Sequence, residues 1–287
     1  VSGLTLSALL AHTRKRFLDA GLTDPSADAR LLIGGLLDIA PTALVTDPSR
    51  PISEDEARRV DQAVRRRLMR EPVHRILGRR EFFGLELLLS SETLEPRPDT
   101  EILVDHVLPH LERIAALGNR PRFIDFGTGT GAIALALLSQ CPDAEAVAVD
   151  ISEDALKTAE RNARQLGLGD RFQPLLSDWA EKVEGTFDAI VSNPPYIPSR
   201  VIEDLDPEVR LHDPTRALDG GEDGLDAYRI LARQTGPLLR PNGIVALEIG
   251  YDQKIPVTAL FEQAGFQLEA AARDYGGNDR VLVFSMP

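Results

Sequence analysis

Residues 123–138 read Phe123-Ile124-Asp125-Phe126-Gly127-Thr128-Gly129-Thr130-Gly131-Ala132-Ile133-Ala134-Leu135-Ala136-Leu137-Leu138. A short apolar run, alternate glycines and then Ile133 to Leu138 at helical spacing predict a buried strand, a tight turn and a helix. Glycine at every second position lets the backbone approach a bound molecule where a Cβ would clash. The spacing G-x-G-x-G departs from the dinucleotide fingerprint G-x-G-x-x-G. Two readings therefore stand: a cradle for a nucleotide-like cofactor, or a strand-to-helix turn with a purely structural role.

The flanking texture favours an α/β sheet. From Pro121 onward, apolar runs at Ala146–Val149, Ala189–Val191 and Ile244–Ile249 alternate with helical patterns such as Asp154–Leu166, as in a doubly wound fold. Phe266–Ala270 and Val281–Phe284 predict a last strand pair around the turn-forming Tyr275-Gly276-Gly277-Asn278. Asp150 ends its strand about twenty residues past the glycine turn, a spacing at which a carboxylate can accept from ribose hydroxyls. It can equally cap the following helix, although Ser152 is placed to do that and leave Asp150 free. Asp178-Trp179 offers an acceptor and a flat ring for an adenine, while Trp179 alone is also an ordinary core residue.

Asn193-Pro194-Pro195-Tyr196 follows the apolar strand Phe187–Val191. Consecutive prolines stiffen the backbone and remove two amide donors, so the Pro194 carbonyl and the Asn193 side-chain oxygen become convergent acceptors beside an aromatic face. That arrangement suits a planar NH2 group. An amide nitrogen is a poor nucleophile, and acceptors on both of its hydrogens favour the positively charged nitrogen that develops when it attacks an electrophile. The plainer reading is a stiff loop after a strand.

Before Pro121 the pattern is different. Leu6, Leu9, Leu10 and Phe17, then Ala27–Leu37, predict helices up to about Arg70, and Ser53 with Glu56 is a capping-box signature. Phe82–Leu89 predicts strand material with a turn at Gly84, leading into a stiff Glu95–Glu101 stretch from which a helix starts near Asp99. The predicted division is 1–75 helical, 76–100 hairpin and linker, and 101–287 α/β.

The chain has 287 residues, 43% hydrophobic and 27% charged, enough for one large core and a smaller one. Its formal net charge of −13 disfavours a nucleic-acid partner. Arginines running from Arg58 to Arg80 are the local exception, read as a charged helix exterior or as a surface for an acidic partner, with Arg66 and Arg67 the positions at which to test it. No apolar run nears the roughly 20 residues of a membrane span and no signal-peptide layout opens the chain, so the cytoplasm is the expected location. Cys141 is the sole cysteine and reads as a core hydrophobe. His106 and His110, four apart, read as a solvated helix face, and no metal is expected.

Taken in order, Asp125–Gly131, Asp150, Asp178-Trp179 and Asn193–Tyr196 resemble the Rossmann-like S-adenosylmethionine methyltransferases that act on exocyclic or amide nitrogen. With Leu94–Glu101, Asp213–Leu218 and Asp274–Arg280, the chain is most similar to the peptide chain release factor glutamine methyltransferases. The resemblance implies a Rossmann-like sheet with helices on both faces, preceded by a small helical substrate-recognition domain. It implies that Gly127, Thr128, Gly129, Thr130 and Gly131 cradle the amino-acid part of S-adenosylmethionine, Asp150 its ribose, and Asp178 with Trp179 its adenine. Asn193 and Pro194 would grip the substrate amide, with Pro195 stiffening the loop and Tyr196 packing on it. The expected substrate is the glutamine of the Gly-Gly-Gln loop of a release factor; the competing expectation is an adenine-type amine in nucleic acid.

Overall fold

The computed structural model describes residues 3–287; Val1 and Ser2 lie outside them. The chain divides into two compact units, one made of the residues up to Arg79 together with 206–212, the other of Arg80–Leu205 and Asp213–Pro287.

In the first unit, α1 (Leu6–Asp19), α2 (Pro25–Leu37), α3 (Ala43–Thr46), α4 (Glu54–Leu68) and α5 (Val73–Leu77) surround one core. On α1, Leu6, Leu9, Thr13 and Phe17 are buried, the stripe that the apolar spacing predicts. The capping box at α4 forms: Glu56 N–H donates to Ser53 Oγ (3.2 Å) and Ser53 N–H donates back to the Glu56 carboxylate (2.8 Å). Acids in the first turn of α4 and arginines in its last complement the helix dipole. The arginines are not alike, however. Arg66 is half exposed and paired with Glu71, whereas Arg67 is only 6% exposed, donating to Asp28 (2.7 Å) and to Glu208 (3.1 Å). This takes Arg67 out of the arginine stretch read as an exposed surface: it is an internal strut, because position 67 falls on the α4 face that buries Val60, Ala63 and Val64.

The second unit begins within β1 (Arg79–Phe82), which forms the hairpin with β2 (Leu85–Leu88), and a 3-10 turn at Pro98–Thr100 leads into α6 (Glu101–Ala116). Then follow β3 (Arg122–Phe126), α7 (Ala132–Gln140), β4 (Glu145–Asp150), α8 (Glu153–Gln165), β5 (Phe172–Leu176) and β6 (Phe187–Ser192). The chain next contributes the single turn α9 (Pro207–Arg210) to the first unit, and closes with α10 (Asp226–Gln234), β7 (Leu239–Glu248), α11 (Lys254–Gln263), β8 (Gln267–Arg273) and β9 (Asp279–Ser285).

The sheet has seven strands in the order β5-β4-β3-β6-β7-β9-β8, parallel from β5 to β7 and antiparallel at β9 and β8. The order reverses direction beside β3: β4 and β5 lie on one side, β6 and β7 on the other. Crevices at the carboxyl ends of strands open at such a switch point. Strand β6 is buried throughout, apolar apart from Asp188 and Ser192, and α7 is buried from Ala132 to Leu138, so neither shows an alternation to read. Pro174 is tolerated in β5 because that strand lies at the sheet edge. Strand β7 starts at Leu239, earlier than the apolar run at Ile244 implies, because Leu239 pairs with Phe187 and an irregularity absorbs the intervening Pro241-Asn242-Gly243.

Cys141 is buried as expected. His106 is exposed, but His110 is buried with Nε2 3.0 Å from the Asp188 carbonyl, which corrects the reading of both as a solvated face. Burial, then the Arg113 charge, pushes its pKa down. Among the described residues no cluster could hold a metal ion, and no helix is long and apolar enough to cross a membrane.

Candidate active site

At the end of β3 the chain turns through Gly127, Gly129 and Gly131, all at positive φ (+70°, +56° and +83°). Gly127 and Thr128 N–H both donate to the Val149 carbonyl (2.9 Å each), which pins the turn to β4. A Cβ at Gly131 would come within 3.2 Å of Ala159 on α8, so this glycine serves helix packing; one at Gly127 would meet only open space. Asp125 is wholly buried beneath the loop, accepting from Thr128 Oγ1 (2.7 Å) through one oxygen while the other has no partner. Burial pushes its carboxyl up to about 7.

Asp150 is less free than the sequence suggested. Ser152 does cap α8, but Asp150 Oδ2 accepts from Gly129 N–H and Oδ1 from Ser152 N–H, each at 2.9 Å. The carboxylate thus braces the glycine loop while each oxygen keeps a lone pair for a further donor. Burial raises its pKa. Trp179 turns at φ +46°, its ring 6.3 Å from that of Phe126; it packs on the core and also lines the cleft.

The Asn193–Tyr196 loop leaves β6 beside the glycine loop, Ser192 Oγ donating to the Phe126 carbonyl (2.8 Å). Asn193 Nδ2 donates to Thr100 Oγ1 (3.2 Å). The exit of the loop is clamped by 218–221: Ile197 N–H donates to Leu218 O, Gly220 N–H to Ile197 O and Ser199 N–H to Gly221 O, at 2.8–2.9 Å. A Cβ on Gly220 would sit 2.8 Å from the Pro195 carbonyl. Gln253 Nε2 donates to the carbonyls of Tyr196 (2.9 Å) and Gly224 (3.1 Å). Burial, then the negative charge of Glu248, pushes the Tyr196 phenol up to about 12, so it stays protonated.

These loops surround one cleft of about 600 Å³. Gly127, Thr128, Gly129, Thr130, Asp150, Asp178, Trp179, Asn193 and Pro195 line it, joined by Arg97, Thr100, Arg216, Gly221 and Asp226. Gly131, Pro194 and Tyr196 stand behind the lining; Pro194 is itself buried. Sequence reasoning missed the Gly220-Gly221 clamp, Gln253 and the buried Glu248 that ends β7. A hint existed for the clamp in the closely spaced Gly220, Gly221 and Gly224, and for Glu248 in an acid set within Val245-Ala246-Leu247-Glu248-Ile249.

A mostly parallel sheet with a glycine loop and an Asn-Pro-Pro-Tyr loop opening on one cleft at its switch point defines a Rossmann-like methyltransferase. Residues 98–205 match the methyltransferase small domain and residues 8–78 the PrmC N-terminal domain. The chain belongs to the release factor glutamine methyltransferase family. It is 54% identical to the release factor glutamine methyltransferase of Agrobacterium fabrum, covering 98% of this chain and 97% of that one. It is 46% identical to that of Rhodospirillum rubrum, covering 98% and 85%. Among solved structures, a methyltransferase from Pyrococcus furiosus shares the fold at 18% identity and a TM-score of 0.53, over 81% of this chain and 98% of that one.

Proposed function

We propose that the cleft takes S-adenosylmethionine and that the protein methylates the side-chain nitrogen of the glutamine in the Gly-Gly-Gln loop of a peptide chain release factor, in the cytoplasm during upkeep of translation termination. The observation that carries this is the opening of the glycine loop and the Asn193 loop onto the same cleft. The residues fit the donor: Gly127 leaves open space where a side chain would intrude, Asp150 retains acceptor capacity, and Asp178 and Trp179 offer an acceptor and a flat face. When bound, S-adenosylmethionine supplies a methyl carbon made electrophilic by the adjacent sulfonium.

The chain's own work is then to position the acceptor. Asn193 Oδ1 and the Pro194 carbonyl accept the two N–H groups of the glutamine amide, which orients the nitrogen and favours the positive charge it acquires. Tyr196, a neutral phenol, packs on the amide plane. The helical unit is the proposed recognition domain for the release factor. Incubation with labelled S-adenosylmethionine and unmodified release factor tests the reading. Label should enter wild-type release factor, and be lost with Asn193→Ala or when the loop glutamine is replaced. Label on oligonucleotides in place of release factor would refute it.

A further inference from the structure

We propose that Glu248 is a positioning residue that fixes the side-chain amide of Asn193, so that its carbonyl oxygen and not its NH2 group faces the acceptor nitrogen. The inference rests on the acceptor reading of Asn193 and extends it. Strands β6 and β7 are parallel neighbours with Ser192 opposite Leu247, so Asn193 and Glu248 follow side by side at the carboxyl end of the sheet. Glu248 is 1% exposed and Thr100 is 4% exposed. Asn193 Nδ2 donates to Thr100 Oγ1 at 3.2 Å, and the side chains of both Thr100 and Asn193 hydrogen-bond toward the Glu248 carboxylate.

The polarity of this chain of bonds is what matters. An amide with its oxygen and nitrogen exchanged would fill the same space, so shape alone does not choose between the two orientations. An ionised carboxylate only accepts, an amide NH2 only donates, and a threonine hydroxyl can do both. Glu248 therefore draws the Thr100 O–H and one Asn193 N–H toward itself, and the Thr100 oxygen is left to accept from Asn193. Exchanging the amide would set Asn193 Oδ1 against the carboxylate and leave a buried charge short of donors, a costly state. One oxygen of Glu248 already lacks any partner, so the group has no donor to spare.

Other groups face Glu248 as well. Arg280 brings positive charge and is itself paired with Asp274 (2.9 Å) and near Asp99 (3.6 Å). Tyr228 lies behind, its hydroxyl donating to the Glu248 backbone carbonyl (2.9 Å), and Tyr196 lies beside it. Burial first, against the Thr100 bond and Arg280, pushes the carboxyl up to about 7. Protonation turns one oxygen into a donor and removes the preference, so turnover should rise with pH through about 7.

The test uses the full chain, unmodified release factor and labelled S-adenosylmethionine. Glu248→Gln keeps the size but supplies donors of its own. It should lower kcat about 10-fold to 100-fold, leave KM for release factor and donor affinity within about twofold, and flatten the pH rise. Thr100→Val should do the same and Thr100→Ser should restore activity. In an Asn193→Ala background, Glu248→Gln should add no further loss, as expected for residues acting through one another. Full activity with an unchanged pH profile in Glu248→Gln would overturn the inference. So would an equal loss with and without Asn193. Failure of the wild type to label release factor would instead sink the acceptor reading itself.

Discussion

The loop after β3 and the loop after β6 leave adjacent parallel strands with Phe126 opposite Ser192, yet they are held in different ways. The glycine loop is braced by its own neighbourhood: Asp125, Thr128, the Val149 carbonyl and the Asp150 carboxylate. The Asn193 loop is braced from across the chain, by Thr100, the 218–221 clamp, Glu248 and Gln253. One half of the cleft is therefore a local motif that any chain could carry. The other half exists only once the whole sheet is assembled.

If the halves are separable, Asn193→Ala should cut methyl transfer to release factor by about 100-fold to 1,000-fold, the scale for losing one transition-state hydrogen bond. Donor binding measured by calorimetry should remain. Loss of donor binding together with turnover would break the comparison. Conversely, Asp150→Ala removes the acceptor shared by Gly129 and Ser152, and should weaken donor affinity by roughly 10-fold to 100-fold. At saturating donor, the rate should recover most of its wild-type value. Gln253→Ala lies outside the cleft lining but frees the Tyr196 and Gly224 carbonyls, a loss of about 1–3 kcal/mol. It should slow transfer by roughly 10-fold without moving donor affinity, and a fall in donor affinity would show that the clamp serves both halves.

The smallest effect on turnover belongs to Asp125, one of two buried acids that lie one under each half. Asp125 and Glu248 both ionise near pH 7 in the folded protein, above the usual carboxylate range. A raised carboxyl keeps its proton in the folded state after the unfolded chain has lost it, so stability is greatest at low pH within this window. It declines as pH climbs from about 4 to about 7 and is level above, by about 1.4 kcal/mol for each pH step over which only the folded state is protonated. Asp125→Asn should flatten part of that decline in denaturant titrations. It should leave the pH profile of turnover in place, because that profile belongs to the other half.

The same contrast explains what the sequence made legible. Asp125–Gly131 could be read because a tight turn that needs positive φ leaves glycines in place, and strands buried on both faces leave apolar runs. Asn193–Tyr196 could be read because two prolines in a row fix a backbone on their own. Glu248 could not be separated from an ordinary strand residue, since its meaning lies in Thr100 and Asn193, which reach it only through the sheet. Arg66 and Arg67 carry the same letter, and only the rotation of α4 against Asp28 and Glu208 tells a surface charge from a buried strut. His110 was misread for the same reason: its partner is the carbonyl of Asp188, far along the chain.

The passage of residues 206–212 into the helical unit bears on how these proteins can be rearranged. A unit formed from one continuous stretch can be cut off or exchanged at a single junction, in the laboratory or by recombination. This one cannot, because Glu208, a partner of Arg67, is encoded beyond the Asn193 loop. A graft of residues up to Arg79 from a relative would arrive without its own 206–212. Chimeras should thus fold well only when both pieces travel together, which couples the inheritance of the helical unit to that of the segment just after the acceptor loop.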